Sequence, residues 1–249
     1  MTQLTHSHAD DPHATLAPTA PVMAEGVDDE PVEGNRRLYQ GWRMHGMAVL
    51  AILYSAFHLY VLNVSPMETW SYRIVHVCGA LILGYLLFSG RGFTEAPSTL
   101  QRWLNVAAVA ALLPAGYALW QTVSMYLLLK GGAMRVPVEI ETLHYGWPLL
   151  AATGVGIVLS WLHRQQRSGF NLPDLVLIVC SLASAGYFLV IFNSPLRMST
   201  GTPFAPIGMS FAAVAGTALI MEMTRRVAGL ALVVIALLFV AYVFAGPHL

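Results

Sequence analysis

The chain has 249 residues, of which 56% are hydrophobic and only 10% charged, with 13 acidic side chains offset by 13 basic ones. Soluble domains carry about 25% charge, so an ordinary soluble enzyme is excluded. The neutral balance, without basic clusters, also excludes nucleic acid as a partner.

Residues 1–40 hold Asp10, Asp11, Glu25, Asp28, Asp29, Glu30, Glu33, Arg36 and Arg37 and no apolar run. Such a stretch cannot bury enough surface to offset its ordering entropy, and it is expected to be a disordered cytoplasmic tail. It lacks the early basic residues and apolar centre of a secretory signal. His6, His8 and His13 within it read as solvated side chains rather than metal ligands. Residues 41–249 carry only 17 charges and are expected to form a membrane-embedded helical domain.

A membrane-spanning helix needs about 20 mainly apolar residues, and the gaps between charges beyond Arg43 mark seven such spans. They are predicted at about 44–64, 70–90, 103–128, 143–163, 174–194, 204–223 and 226–246. The expected fold is therefore all-α, a polytopic bundle. Cytoplasmic loops of membrane proteins retain more Lys and Arg. With the N-terminus inside, Arg36, Arg37, Arg43, Arg91, Arg102, Arg164, Arg167, Arg225 and Arg226 fall on the cytoplasmic side. Only Arg73, Lys130, Arg135 and Arg197 fall on the other, so the N-terminus is expected inside and the C-terminus outside.

Small residues four apart let helix backbones approach closely in lipid. Span three offers Ala107, Ala111 and Ala115; span four Ala152, Gly156 and Ser160; span six Gly208, Ala212 and Gly216. These are expected to be helix-packing faces, and together with the last span they are expected to contact a partner subunit. Pro114 is expected to kink span three.

Ionisable groups inside a membrane are functional candidates by default. His58 and His76 lie at similar depth on consecutive antiparallel spans, as axial ligands of a b-type haem would in a haem or quinone anchor. The simpler reading gives each a single interhelical hydrogen bond. The only lysine, Lys130, lies in a loop, which excludes retinal chemistry. Cys78 and Cys180 sit in apolar runs and form neither a disulfide framework nor a metal-ligand pattern. No nucleophile-and-base pairing or phosphate loop appears, so no enzymatic activity is expected.

Two polar clusters remain. Pro173-Asp174 opens span five, where an acidic residue complements the positive end of a helix. Glu222, Arg225 and Arg226, followed by Gly229, lie at the turn between spans six and seven, with helical spacing that puts either pair on one face. A surface ion pair or a docking contact is expected there.

The final segment, MEMTRRVAGLALVVIALLFVAYVFAGPHL, resembles the Glu-x-x-Arg-Arg-x-x-Gly helix and following Tyr-x-x-x-Gly-Pro of tripartite ATP-independent periplasmic (TRAP) transporter permeases of the TAXI type. Glu222, Arg225, Arg226, Gly229, Tyr242, Gly246 and Pro247 carry that likeness. SYRIVHVCGALILGYLLFSG is similar to their early Arg-x-x-His helix through Arg73 and His76, and Pro173-Asp174, Tyr187, Arg197, Gly201 and Pro203 follow their mid-region in order. Phe204-Ala205-Pro206 stands where the family usually has an acidic residue.

Family proteins commonly run on from the equivalent of Pro247 into a large permease, so the likeness of Trp42 to Leu249 is to the small-subunit (Q-like) part. The resemblance implies a multi-pass protein of the bacterial inner membrane that scaffolds a large, M-like permease. Its other implied partners are the bilayer and a periplasmic TAXI-type substrate-binding protein. Sodium and the organic anion are then expected in the large subunit, with no cofactor in this chain.

Overall fold

The computed structural model describes residues 33–94, 98–164, 167–194 and 206–246. The described residues form a multi-pass, all-α membrane bundle of seven helices: α1 (Trp42–Asn63), α2 (Thr69–Leu87), α3 (Thr99–Lys130), α4 (Ile140–Leu162), α5 (Leu172–Phe192), α6 (Ile207–Ala228) and α7 (Leu230–Ala245). The first six are long and apolar enough to cross a bilayer. The seventh has 16 residues. At ~1.5 Å per residue it is some 24 Å long, short of a hydrocarbon core of about 30 Å.

Helix starts follow local chemistry. The Glu68 carboxylate accepts from the Ser71 amide at 2.8 Å to open α2, and the Ser98 hydroxyl accepts from the Gln101 amide to open α3. Pro173 sits in the first turn of α5, where its fixed φ suits a helix and no amide donor is needed. Gly229, with φ 83°, separates α6 from α7 in a backbone region that side chains with a Cβ avoid. α3 continues through Pro114 as a single 32-residue helix. It begins before Arg102, which the charge-gap reading took as a boundary, because an exposed first-turn arginine reaches the interface without ending a helix. At about 48 Å, α3 exceeds the bilayer core and must tilt or project.

α5 is the axis of the bundle: half of its most apolar window is buried, against 6% for α1. It packs against α2, α3, α4 and α6 around a core that includes Tyr85, Ala115, Leu149, Leu177 and Leu219. α1 leans on α2, α7 follows α6, and most side chains of both are exposed.

The small-residue faces close within this core. Ala111, Ala115, Ala152 and Ala212 are buried, and Ala107 packs partly buried beside them. A Cβ on Gly156 would lie 2.9 Å from Leu177, and one on Gly208 would enter the Tyr187 ring. Gly208 and Ala212 of span six are thus packed inside the chain. Gly216 differs, being half-buried with open space beside it.

The expected tail boundary at residue 40 moves toward the N-terminus. After a single 3-10 turn at Glu33–Asn35, Arg36 makes an antiparallel bridge with Phe88, and Arg37 is buried. A charged segment is ordered here because it brings donors to helix ends that lack them, as the next section details.

Candidate functional site

Asp174, Glu222, Arg225 and Arg226, read in the sequence as two separate clusters, meet at one end of the bundle, here called the base. The final α2 carbonyls have no partner within their own helix, and the negative end of the helix dipole favours cations beside them. Arg37 supplies both needs: its guanidinium donates to the carbonyls of Tyr85 at 2.5 Å and Leu86 at 3.0 Å, and its amide donates to that of Leu87 at 2.8 Å. The Tyr39 hydroxyl also donates to Leu86, and Arg226 donates to Phe88 at 3.0 Å. Residues 35–39 therefore act as a strap across the end of α2. The Asn35 side chain extends it by donating to the Arg226 carbonyl of α6 at 2.7 Å.

The charges inside the strap are paired. The Asp174 carboxylate, fully buried in the first turn of α5, takes Arg37 on one oxygen and Arg226 on the other, the latter at 2.8 Å. Arg226 also reaches Glu222 at 2.7 Å, and Arg225 reaches the same carboxylate at 2.8 Å. Trp161 of α4 donates its indole N–H to Glu222 at 2.7 Å, and the Ser160 hydroxyl donates to it at 3.3 Å. The Arg225 guanidinium lies over the Trp161 ring and that of Arg226 over Tyr85. One lattice thus ties α2, α4, α5, α6 and the strap.

This arrangement corrects the expectation of a surface ion pair. The side chains of Arg37, Asp174 and Arg226 are 0% exposed, and that of Glu222 is 1% exposed. Each guanidinium is turned toward carboxylates and backbone carbonyls. Breaking such a pair is far more costly than its net contribution, because the partner left behind is a buried bare charge.

His163, which follows α4, is buried beside this lattice with neither ring nitrogen hydrogen-bonded among the described residues. Burial lowers its pKa from the ordinary 6.5, with Asp174 opposing and Arg37 reinforcing the shift. The folded chain thus refuses a proton that the unfolded chain accepts, so this group's contribution is steady above pH 6.5 and lost as pH falls below it. Thermal melts of wild type and His163→Gln should separate by a gap that shrinks as pH falls, the wild type losing more. A gap independent of pH would refute the buried neutral histidine.

At the opposite end, Glu141 lies in a π-helical turn, Ile140–Gly146, that opens α4. It lies outside the span that the charge gaps predict, yet it is 2% exposed. Its carboxylate accepts from the Tyr187 hydroxyl at 2.9 Å and from the Gly208 amide at 3.3 Å, satisfying a donor at the start of α6. Tyr187 stacks on Tyr145 at 4.6 Å. No sequence motif named Glu141; the clue was an acidic residue four before Tyr145 at the edge of an apolar run.

His58 and His76 do meet, with Nε2 of one 2.6 Å from Nδ1 of the other, and the Tyr54 hydroxyl lies 3.0 Å from the same His76 nitrogen. The pair as placed is a hydrogen-bonded link between α1 and α2. Arg73, in contrast, is exposed, with its guanidinium 5.6 Å from the Trp70 ring. Tyr242 is exposed on α7 and Gly246 ends that helix, both far in sequence from the lattice. Arg197 and Pro247 lie outside the described residues. No protein-family model, no curated protein and no solved structure matches the chain.

Proposed function

We propose that this chain is a small, Q-like membrane subunit of a TAXI-type TRAP transporter, holding a large permease in place during sodium-driven, binding-protein-dependent uptake of an organic anion. The observation that carries the reading is the meeting of Asp174, Glu222, Arg225 and Arg226 in one locked base. Four of the residues that carry the family likeness, Asp174, Glu222, Arg225 and Arg226, are among those that tie the helix ends and the strap. An anion carrier instead needs helix N-termini or positive groups facing a cavity near the bilayer midplane. The buried arginines here are answered by carboxylates and carbonyls.

In this reading the base faces the cytoplasm of a bacterial inner membrane, as the Lys and Arg asymmetry favours. The exposed faces of α1 and α7 meet lipid and the large subunit. Sodium and substrate sites belong to that subunit. Co-expression with a TAXI-type large permease tests the assembly: a tag on this chain should carry the permease through affinity and size-exclusion steps in mild detergent. Separate elution of two folded proteins would set the reading aside.

A further inference from the structure

α1 is held differently at its two ends. At the base it follows Gly41, whose φ of 59° lies where a residue with a Cβ is strained, and no side chain caps its first turn. Along its length it is loosely seated: 6% of its most apolar window is buried, and a cavity of about 330 Å³, lined by Phe57, Ile82 and Leu189 among others, lies between α1, α2 and α5. Toward the far end Tyr54, His58 and His76 close a ring of hydrogen bonds onto α2, and its direction follows from the atoms that can only accept. The Tyr54 carbonyl is 2.6 Å from His58 Nδ1, so that nitrogen carries the proton and neutral His58 presents a lone pair at Nε2. His76 Nδ1, 2.6 Å away, then donates to it, and the Tyr54 hydroxyl donates to the His76 carbonyl at 2.8 Å. The Tyr54 ring rests on Gly79, where any Cβ would collide with it.

One ring nitrogen is left over, His76 Nε2, on an exposed side chain and without a hydrogen bond among the described residues. Histidine is the side chain that changes charge nearest neutral pH. A proton arriving at Nε2 breaks no bond, and it turns the His76 Nδ1–H into a charge-assisted donor to His58. Swinging α1 away takes that acceptor from the imidazolium, so docking and the first protonation favour each other. A second proton has only His58 Nε2 to occupy, where it would break the link and set two cations in contact. The surrounding groups leave this coupling intact. Tyr72 of α2 presents its ring to His58 at 5.7 Å, and Cys78 donates to the Ser181 carbonyl of α5. Arg73, one turn before His76 and turned over Trp70, repels the proton in docked and open states alike, because both residues sit on α2. From α5, the residues lining the cavity are Leu182, Ala185, Gly186 and Leu189, none of them titratable. We propose that the Tyr54, His58 and His76 ring is an acid-tightened clasp: α1 pivots at Gly41 and docks on α2 most firmly when the histidine pair holds one proton more than its neutral form.

Double electron–electron resonance on the full chain in lipid nanodiscs reads the movement. Nitroxides go on Leu62→Cys near the far end of α1 and Leu127→Cys on α3, both exposed positions, while the native Cys78 and Cys180 are buried. Two distance populations are expected. Lowering the pH from about 8 to about 6 should reduce the open one roughly threefold or more, as a neutral hydrogen bond becomes charge-assisted. His58→Phe and His76→Phe, which keep an aromatic ring but offer no nitrogen, should remove the pH response. Tyr54→Phe should enlarge the open population at both pH values and keep the response. A single population at both pH values, an open fraction that ignores pH, or a His58→Phe variant that responds as wild type does would overturn the proposal. Nitrogen-15 spectra of the unsubstituted chain, labelled at histidine, should show two rings coupled through a hydrogen bond between Nδ1 and Nε2. The absence of such a pair would overturn it as well.

Discussion

Asp174→Asn is expected to cost about 3–5 kcal/mol of stability, the range for removing one partner from a buried ion pair. The cause is the two guanidiniums left behind, since Arg37 and Arg226 both lose a carboxylate while fully buried. Arg37 would also leave the α2 carbonyls, so the strap should become a protease target at Arg36 and Arg37. Melting in detergent combined with limited trypsin digestion reads both effects. The double variant Arg37→Gln with Asp174→Asn should recover part of the loss, because one unanswered charge disappears with its partner. Equal melting of Asp174→Asn and wild type would remove the lattice as the basis of the fold.

Gly208→Leu should be the most damaging of the small-residue substitutions. Its Cβ would enter the Tyr187 ring, itself held by Glu141 and stacked on Tyr145. Overpacking of this kind costs about 1–3 kcal/mol or more, and here α6 would also part from the carboxylate that satisfies its first turn. Gly216→Leu meets open space and should melt like wild type. The two glycines are equally spaced around Ala212 in sequence, so their difference is a test of the packing itself. Comparable losses from both substitutions would contradict the placement of α6 against α5.

The helices were legible because a bilayer enforces long apolar runs between charges. The same rule treats every charged residue as a boundary and so places Glu141 outside span four, although Tyr187 and the start of α6 answer its carboxylate. Composition places Arg37 in a disordered tail, because that stretch offers no apolar surface. Its carboxylate partner, Asp174, lies 137 residues away, beyond any local pattern. The Glu222 pairs with Arg225 and Arg226 were legible as same-face spacing within one helix. Their burial was not, because it depends on Trp161, Ser160 and the strap closing over them.

We propose that this chain supports transport without performing it. Liposomes with an outside-to-inside sodium gradient and a labelled organic anion outside provide the most direct measurement. Four preparations suffice: this chain alone, the large permease with its binding protein, those two with this chain added, and the complete set without the gradient. Uptake should appear only in the complete set with the gradient. Sodium-driven uptake by this chain alone, or full uptake by the large permease and binding protein without it, would contradict the account.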